Sequence, residues 1–212
     1  MIFDVGAFRG DKTAGYLKEG HKVICFEPNP VYAEKLRQRF NSDVVVVQKA
    51  VGAQPGRTTL MICSKAPAIS TVCETWRTGR FRHYPWDKKV AVDLITLDQA
   101  IDLYGVPDYI KIDAEGSEYQ ILQGLSRAVP CLSFEFAGEF RGATRNCLHR
   151  LKELGYEEFA VQLGKNGPLG PYLNELRLLA TLYVMDAATW GDIYAKKESA
   201  NESGRVGQAL AR

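Results

Sequence analysis

Several apolar runs in this chain carry a carboxylate at or near their ends. Asp4 sits in MIFDV, Glu27 closes KVICFE, Asp113 closes YIKID, and Glu135 lies in LSFEF. Carboxylates at such places accept hydrogen bonds from ribose hydroxyls and ammonium groups, and they take protons in general base catalysis. In an open α/β sheet, ligands bind beyond the carboxyl ends of the strands, where these acids stand.

The first acid opens the pattern Asp4-x-Gly6-x-x-x-Gly10. Glycine at a strand-to-helix turn lets backbone approach a ligand where a side chain would block it. Glu27 closes the second strand, where an acidic group accepts hydrogen bonds from both hydroxyls of a ribose. A dinucleotide site would read G-x-G-x-x-G with the pyrophosphate on the helix N-terminus. Here the middle glycine is missing, and Asp11 stands near the helix start. A carboxylate there repels a pyrophosphate and tolerates a cation. The pattern therefore favours S-adenosylmethionine (SAM) over NAD, with Asp4 as acceptor for the ammonium.

The stretch Lys111-Ile112-Asp113-Ala114-Glu115-Gly116-Ser117-Glu118 places two acids beside a buried strand's exit. Strand alternation puts Lys111 and Asp113 on one face, so Asp113 and Glu115 cannot both be structural partners of Lys111. Glu118 reads as an ordinary first-turn acid complementing a helix dipole. Asp113 is the first candidate for a general base, then Glu115 or Glu135, with His83 an outside option. His21 and His149 fall at helix-end and helix positions with surface or packing roles. Converging acids also suit a divalent cation, but no further ligand is evident and the reading is a metal-free site.

Residues 76–89 form a local anomaly. WRTGRFRHYPWDKK holds two of the three tryptophans and five Lys/Arg against one acid. Aromatics interleaved with arginines can stack on a sugar or base and clamp an anion. The segment is expected to be an acceptor lid carrying Arg80, His83 and Trp86, with Ser70 and Thr71 at its hinge.

The elements holding these residues alternate between β-rich and helical runs. Strands are expected at 1–5, 22–27, 44–48, 90–95, 109–113, 131–136, 156–163 and 177–185. Helices are expected at 12–19, 30–40, 97–104, 117–127 and 145–154. VVVVQ at 44–48 reads as a strand buried on both faces. Gln54-Pro55-Gly56 suggests a hairpin, and 156–163 with 177–185 an antiparallel final pair. Strands separated by helices predict a mostly parallel sheet covered on both faces. The domain is expected to span 1–195, with an insertion at about 52–89 and a mobile tail at 196–212.

Composition bounds the rest. With 212 residues, 46% hydrophobic and 25% charged, the chain is an ordinary globular length of one domain. A formal charge of +2 removes the simplest nucleic-acid argument, so nucleic acid is not expected as a partner. Five scattered cysteines without a C-x-x-C pair argue against zinc and a disulfide framework, and for a reducing compartment. No run reaches a membrane span, and MIFDVGAFRG lacks a basic n-region, so a cytoplasmic location is expected.

DVGAFRG (4–10), FEPNP (26–30), QKAVG (48–52) and IKIDAEGSE (110–118), in that order, resemble the FkbM-type family of SAM-dependent methyltransferases. LITLDQAI and LSFEF agree in place and type, and KIDxEGxE is the most specific part. The resemblance implies a Rossmann-like class I methyltransferase: a mostly parallel seven-stranded sheet, its last strand inserted antiparallel. It implies methyl transfer to oxygen, here to a hydroxyl of a sugar, glycan or secondary metabolite. It places Asp4, Gly6, Ala7 and Gly10 at the methionine end and Glu27 with Pro28 at the ribose. Gln48, Lys49 and Ala50 would edge the adenine, and Asp113 would lie near the methyl group. The chain enters directly at strand one, without helices such proteins often carry there, so part of a substrate wall is expected to be either missing or supplied by a partner. Two other readings compete: an RNA-binding or RNA-modifying protein gripping its ligand with residues 76–89, and a nicotinamide-dependent oxidoreductase.

Overall fold

A computed structural model describes residues 1–197. Its larger sheet contains β1 (Ile2–Val5), β2 (Val23–Phe26), β3 (Val44–Val47), β7 (Tyr109–Ile112), β8 (Cys131–Ala137), β9 (Glu158–Leu163) and β10 (Trp190–Lys196). The strand order is β3-β2-β1-β7-β8-β10-β9. The first five strands run parallel, and β10 is antiparallel to both β8 and β9. This is the Rossmann-like arrangement expected from the sequence, with the last strand inserted. Chain order reverses between β1 and β7, the switch point where such sheets bind ligands.

Helices cover both faces: α1 (Asp11–Lys18), α2 (Pro30–Phe40), α4 (Leu97–Tyr104), α5 (Glu118–Gln123), α6 (Arg141–Glu153) and α7 (Glu175–Tyr183); the short α3 (Glu74–Thr78) lies in the insertion. Both faces being covered, β1, β2 and β7 are buried at every position. Phe3, Phe26, Ile110, Phe134 and Ile193 pack in one apolar cluster, Ile2, Cys25, Tyr109, Cys131 and Tyr194 in another. Local signals set several ends. Asn29 accepts the Val31 N–H with Pro30 in the first turn, and Thr96 with Gln99 closes a capping box on α4.

Several expectations need correction. β3 is an edge strand with Val45 exposed to solvent, so it is not buried on both faces. Gln54-Pro55-Gly56 does not turn a hairpin. β4 (Ala50–Val51) pairs parallel with β6 (Lys88–Ile95), and β5 (Gly56–Ile62) pairs antiparallel with it, giving a second sheet of order β4-β6-β5. The turn links two strands that each prefer β6. Residues 177–185 are not a strand: Asn174 caps α7, which buries Leu178 and Leu182 one helical turn apart. The final antiparallel pair is instead β9 with β10. α5 stops at Gln123, and Ser117 contributes no side-chain cap. α6 starts at Arg141, a turn earlier than expected.

β10 continues through Lys196, and the tail expected to be mobile lies, from residue 198 on, outside the described residues. Among the described residues no helix is long and apolar enough to cross a membrane.

Candidate active site

The turn after β1 carries three residues with positive φ: Gly6 (83°), Phe8 (48°) and Gly10 (77°). At Gly6 a Cβ would sit 1.8 Å from the Asp113 carbonyl oxygen. At Gly10 it would enter the Phe40 and Leu36 side chains. The first glycine therefore lets two strand exits touch, and the second lets α2 pack against the turn. Phe8, a non-glycine in left-handed conformation, stores modest strain and lays its ring 4.2 Å from that of Tyr32.

That twisted turn orients Glu27. Its two carboxylate oxygens each accept one backbone N–H, from Phe8 and from Asn29, both at 2.8 Å. Burial pushes the carboxyl up to about 7 in spite of these bonds. Each oxygen keeps a lone pair for a further donor.

Beyond Glu27 and Gly6 opens a cavity of about 190 Å³. Of the residues singled out in the sequence, Gly6, Glu27, Pro28, Lys49, Ala50, Ser70, Asp113 and Glu115 line it. Apolar Phe8, Val51, Leu60 and Ile121 complete the wall. Glu27 and Asp113 stand on the strands flanking β1, two strand spacings or roughly 10 Å apart.

Other expected residues point elsewhere. Asp4 is buried and its carboxylate accepts from the Thr13 hydroxyl at 2.6 Å, away from the cavity lining. Ala7 packs among buried apolar residues. Gln48 is exposed and meets Arg37 at 3.4 Å. Asp11 pairs with Arg39 at 3.0 Å and does not line the cavity. Arg80 is tied to Glu139 at 3.2 Å, the Trp86 indole donates to the Phe81 carbonyl, and His83 is exposed. Trp76, by contrast, is buried and stacks on Phe140, fastening the 76–89 segment to the exit of β8.

At the far side Lys111 organises the acids. Its buried ammonium lies 2.8 Å from Asp192 and 3.3 Å from Asp113. Burial alone would lower its pKa; the two carboxylates outweigh that and raise it well above the ordinary lysine value. Asp113 stays 39% exposed on its side chain, so Lys111 holds one face of it and leaves the other to the cavity.

Carboxylate oxygens of Asp113, Glu115 and Glu135 lie within 4.8 Å of one another. Burial, then the charge of Asp113, pushes the carboxyls of both glutamates well above the usual range. Such a trio can receive a proton from a hydroxyl or chelate a divalent cation. Glu135 reaches it from a side chamber of about 40 Å³ lined also by Trp76, Gly116 and Glu118.

Sequence reading missed Asp192 and the hold of the Asn29 N–H on Glu27, and it placed Thr71 only at the hinge of the insertion. Thr71 donates to the Glu115 carbonyl at 2.8 Å and so ties the insertion to the acidic turn. Asp192 was invisible because β10 itself was not expected.

Residues 4–157 match the methyltransferase FkbM domain. The chain belongs to that family. It is therefore a SAM-dependent methyltransferase, with SAM as the methyl donor; the nicotinamide reading is set aside. No curated protein matches by sequence. Solved structures resemble the FkbM domain only distantly. Magnesium protoporphyrin IX methyltransferase from Synechocystis, with bound SAM, is 10% identical at TM-score 0.48, covering 93% of this chain and 70% of that one. A TehB-like SAM-dependent methyltransferase from Corynebacterium glutamicum is 16% identical at TM-score 0.45, covering 92% and 79%.

The cavity's donor set suits SAM. Glu27 offers two oriented oxygens to a ribose diol, the apolar wall suits an adenine, and Asp113 with Glu115 suits the cationic end.

Proposed function

We propose that this FkbM domain methylates a hydroxyl oxygen of a small molecule, of the sugar, glycan or secondary-metabolite type. The observation that carries the reading is the convergence of Asp113, Glu115 and Glu135 within 4.8 Å beside the Glu27 cavity. An alcohol is a weak nucleophile while protonated, and a cluster of acids at the reaction centre answers that need.

When bound, SAM supplies an electrophilic methyl group on a sulfonium. Glu27 holds the ribose hydroxyls and the apolar wall excludes water. Lys111 engages Asp113 through Oδ2, so the acceptor's proton passes to Oδ1. Burial and the charge of Asp113 favour the protonated forms of Glu115 and Glu135, which eases repulsion in the site and lets them pass that proton outward. Fixing both reactants in near-attack geometry supplies roughly 7–11 kcal/mol of the rate enhancement. Ser70 and the 76–89 segment with Arg80, His83 and Trp86 flank the acceptor side. The catalytic unit is residues 1–195, and five free cysteines suit the reducing cytoplasm.

The test is methyl transfer from labelled SAM to a panel of hydroxyl compounds, with Asp113→Asn beside the parent chain. SAM affinity should fall by less than turnover, which should drop by about 10²–10⁴. Unchanged turnover removes Asp113 as the base, and label on nitrogen or carbon acceptors alone removes the oxygen assignment.

A further inference from the structure

Behind the Glu135 chamber lies a larger groove of about 350 Å³ between β8, α6 and α7. Phe136, Leu179, Leu182, Tyr183 and Met185 line it, and no acid does. Two cations stand on its α6 side. Arg141 is occupied with the carbonyls of Gly138 and Met185, whereas Arg145 is exposed and makes no hydrogen bond or ion pair among the described residues.

The groove adjoins the Glu135 chamber. Phe136, Ala137 and Thr144 are walls of both the groove and the Glu135 chamber. That chamber in turn meets the donor cavity at the acidic turn, with Gly116 between Glu115 and Ser117. Within the chamber wall the Trp76 indole N–H is buried without a partner among the described residues. An unpaired buried donor is costly unless an oxygen arrives to accept from it.

We infer that this groove binds the methyl acceptor, and that the acceptor is an apolar molecule carrying an anionic group, not a neutral sugar. The inference rests on the hydroxyl-methylation reading and narrows its substrate class. A sugar would meet few hydrogen-bonding side chains here. An apolar body fills a space within the range of small-molecule pockets. Its carboxylate, sulfate or phosphate pairs with Arg145 at the open end, and its hydroxyl enters the chamber toward Glu135. Leu176 and Val184 are exposed on and just beyond α7, so a second copy of the chain is the rival occupant.

The probe is 8-anilinonaphthalene-1-sulfonate, an aromatic anion, titrated by fluorescence into the full chain saturated with SAM. Its neutral counterpart is N-phenyl-1-naphthylamine. Arg145→Gln should weaken the sulfonate about tenfold and the neutral probe less than twofold. Leu179→Glu should abolish both, with SAM affinity unchanged by calorimetry. Equal sulfonate affinity in Arg145→Gln overturns the inference, and because Arg145 is exposed that arm survives even if Leu179→Glu misfolds. A dimer by light scattering that Leu179→Glu splits, with no probe bound to the parent, assigns the groove to a second copy and also overturns it. Failure of the parent chain to bind SAM would sink the functional reading instead, which the probe titration without SAM keeps separate.

Discussion

The carbonyl oxygen of Asp113 occupies the place where any side chain at Gly6 would begin, 1.8 Å from the Cβ position. Two strand exits that carry the chemistry are thereby locked together, since the Asp113 N–H also continues the ladder to the Val5 carbonyl at 3.0 Å. Gly6→Ala must relieve both that contact and a φ of +83°, which costs a non-glycine residue about 1–2 kcal/mol before any clash. We expect a lower melting temperature and SAM affinity weakened at least tenfold, because Asp113 has to move. A variant that melts and binds SAM like the parent would show that the contact is relieved without displacing the site.

Glu27 holds its place through the Phe8 and Asn29 N–H groups, and a glutamine can keep one of those bonds at most. Hydrogen bonds to a charged group contribute about 1.5–3 kcal/mol. Glu27→Gln should therefore weaken SAM by about 10–100-fold, with turnover at saturating SAM less affected. The carboxyl sits at about 7, so SAM affinity in the parent should fall as pH drops below about 7 and the acid protonates. Calorimetric titration between pH 5.5 and 8.5 reads both effects, and the same pH profile in parent and variant would exclude Glu27 as the titrating group.

What could be read beforehand followed from local chemistry. Asn29-Pro30 and Thr96-Leu-Asp-Gln99 announce their helices because caps act within four residues, and Glu27 was legible because strand and acid are contiguous. Residues 177–185 misled because RLLATLYVM is almost wholly apolar, and the deciding pair Leu178 and Leu182 is visible only once Asn174 is recognised as a cap. β10 escaped because Gly191 and Asp192 break its pattern. Asp192 is tolerated there by Lys111, a partner from another strand. Gly10 looked like a ligand glycine and proved to be a packing glycine, a distinction made by α2 rather than by the turn.

Lys111 is the one cation the described structure buries between Asp113 and Asp192. Removing one partner of a buried charge set costs about 3–5 kcal/mol, since the other charges remain without compensation. Lys111→Met should lower stability by that order in urea unfolding, and Asp192→Asn made in the same background should recover part of it. Additive losses in the double variant would mean the two groups are not coupled.

The buried acids also set how stability depends on pH. Glu118 accepts the N–H groups of Ala114 and Gly116, yet burial raises its carboxyl from 4.5 to about 7. A raised carboxyl means that the folded state binds its proton more tightly than the unfolded chain does. Its contribution is therefore full below about pH 4.5, is lost as pH rises toward about 7, and is constant above that. Glu27 acts in the same direction, and so do Glu115 and Glu135. At about 1.4 kcal/mol per pH unit, each of the first two is worth roughly 3 kcal/mol across that window. The melting temperature should fall between pH 5 and pH 7.5. In Glu118→Gln, whose amide oxygen can still accept the two N–H groups, the fall should be shallower and the pH 7.5 value higher than in the parent. Scanning calorimetry at matched ionic strength makes the comparison, and parallel curves for the two proteins would mean that Glu118 stays ionised in the folded chain.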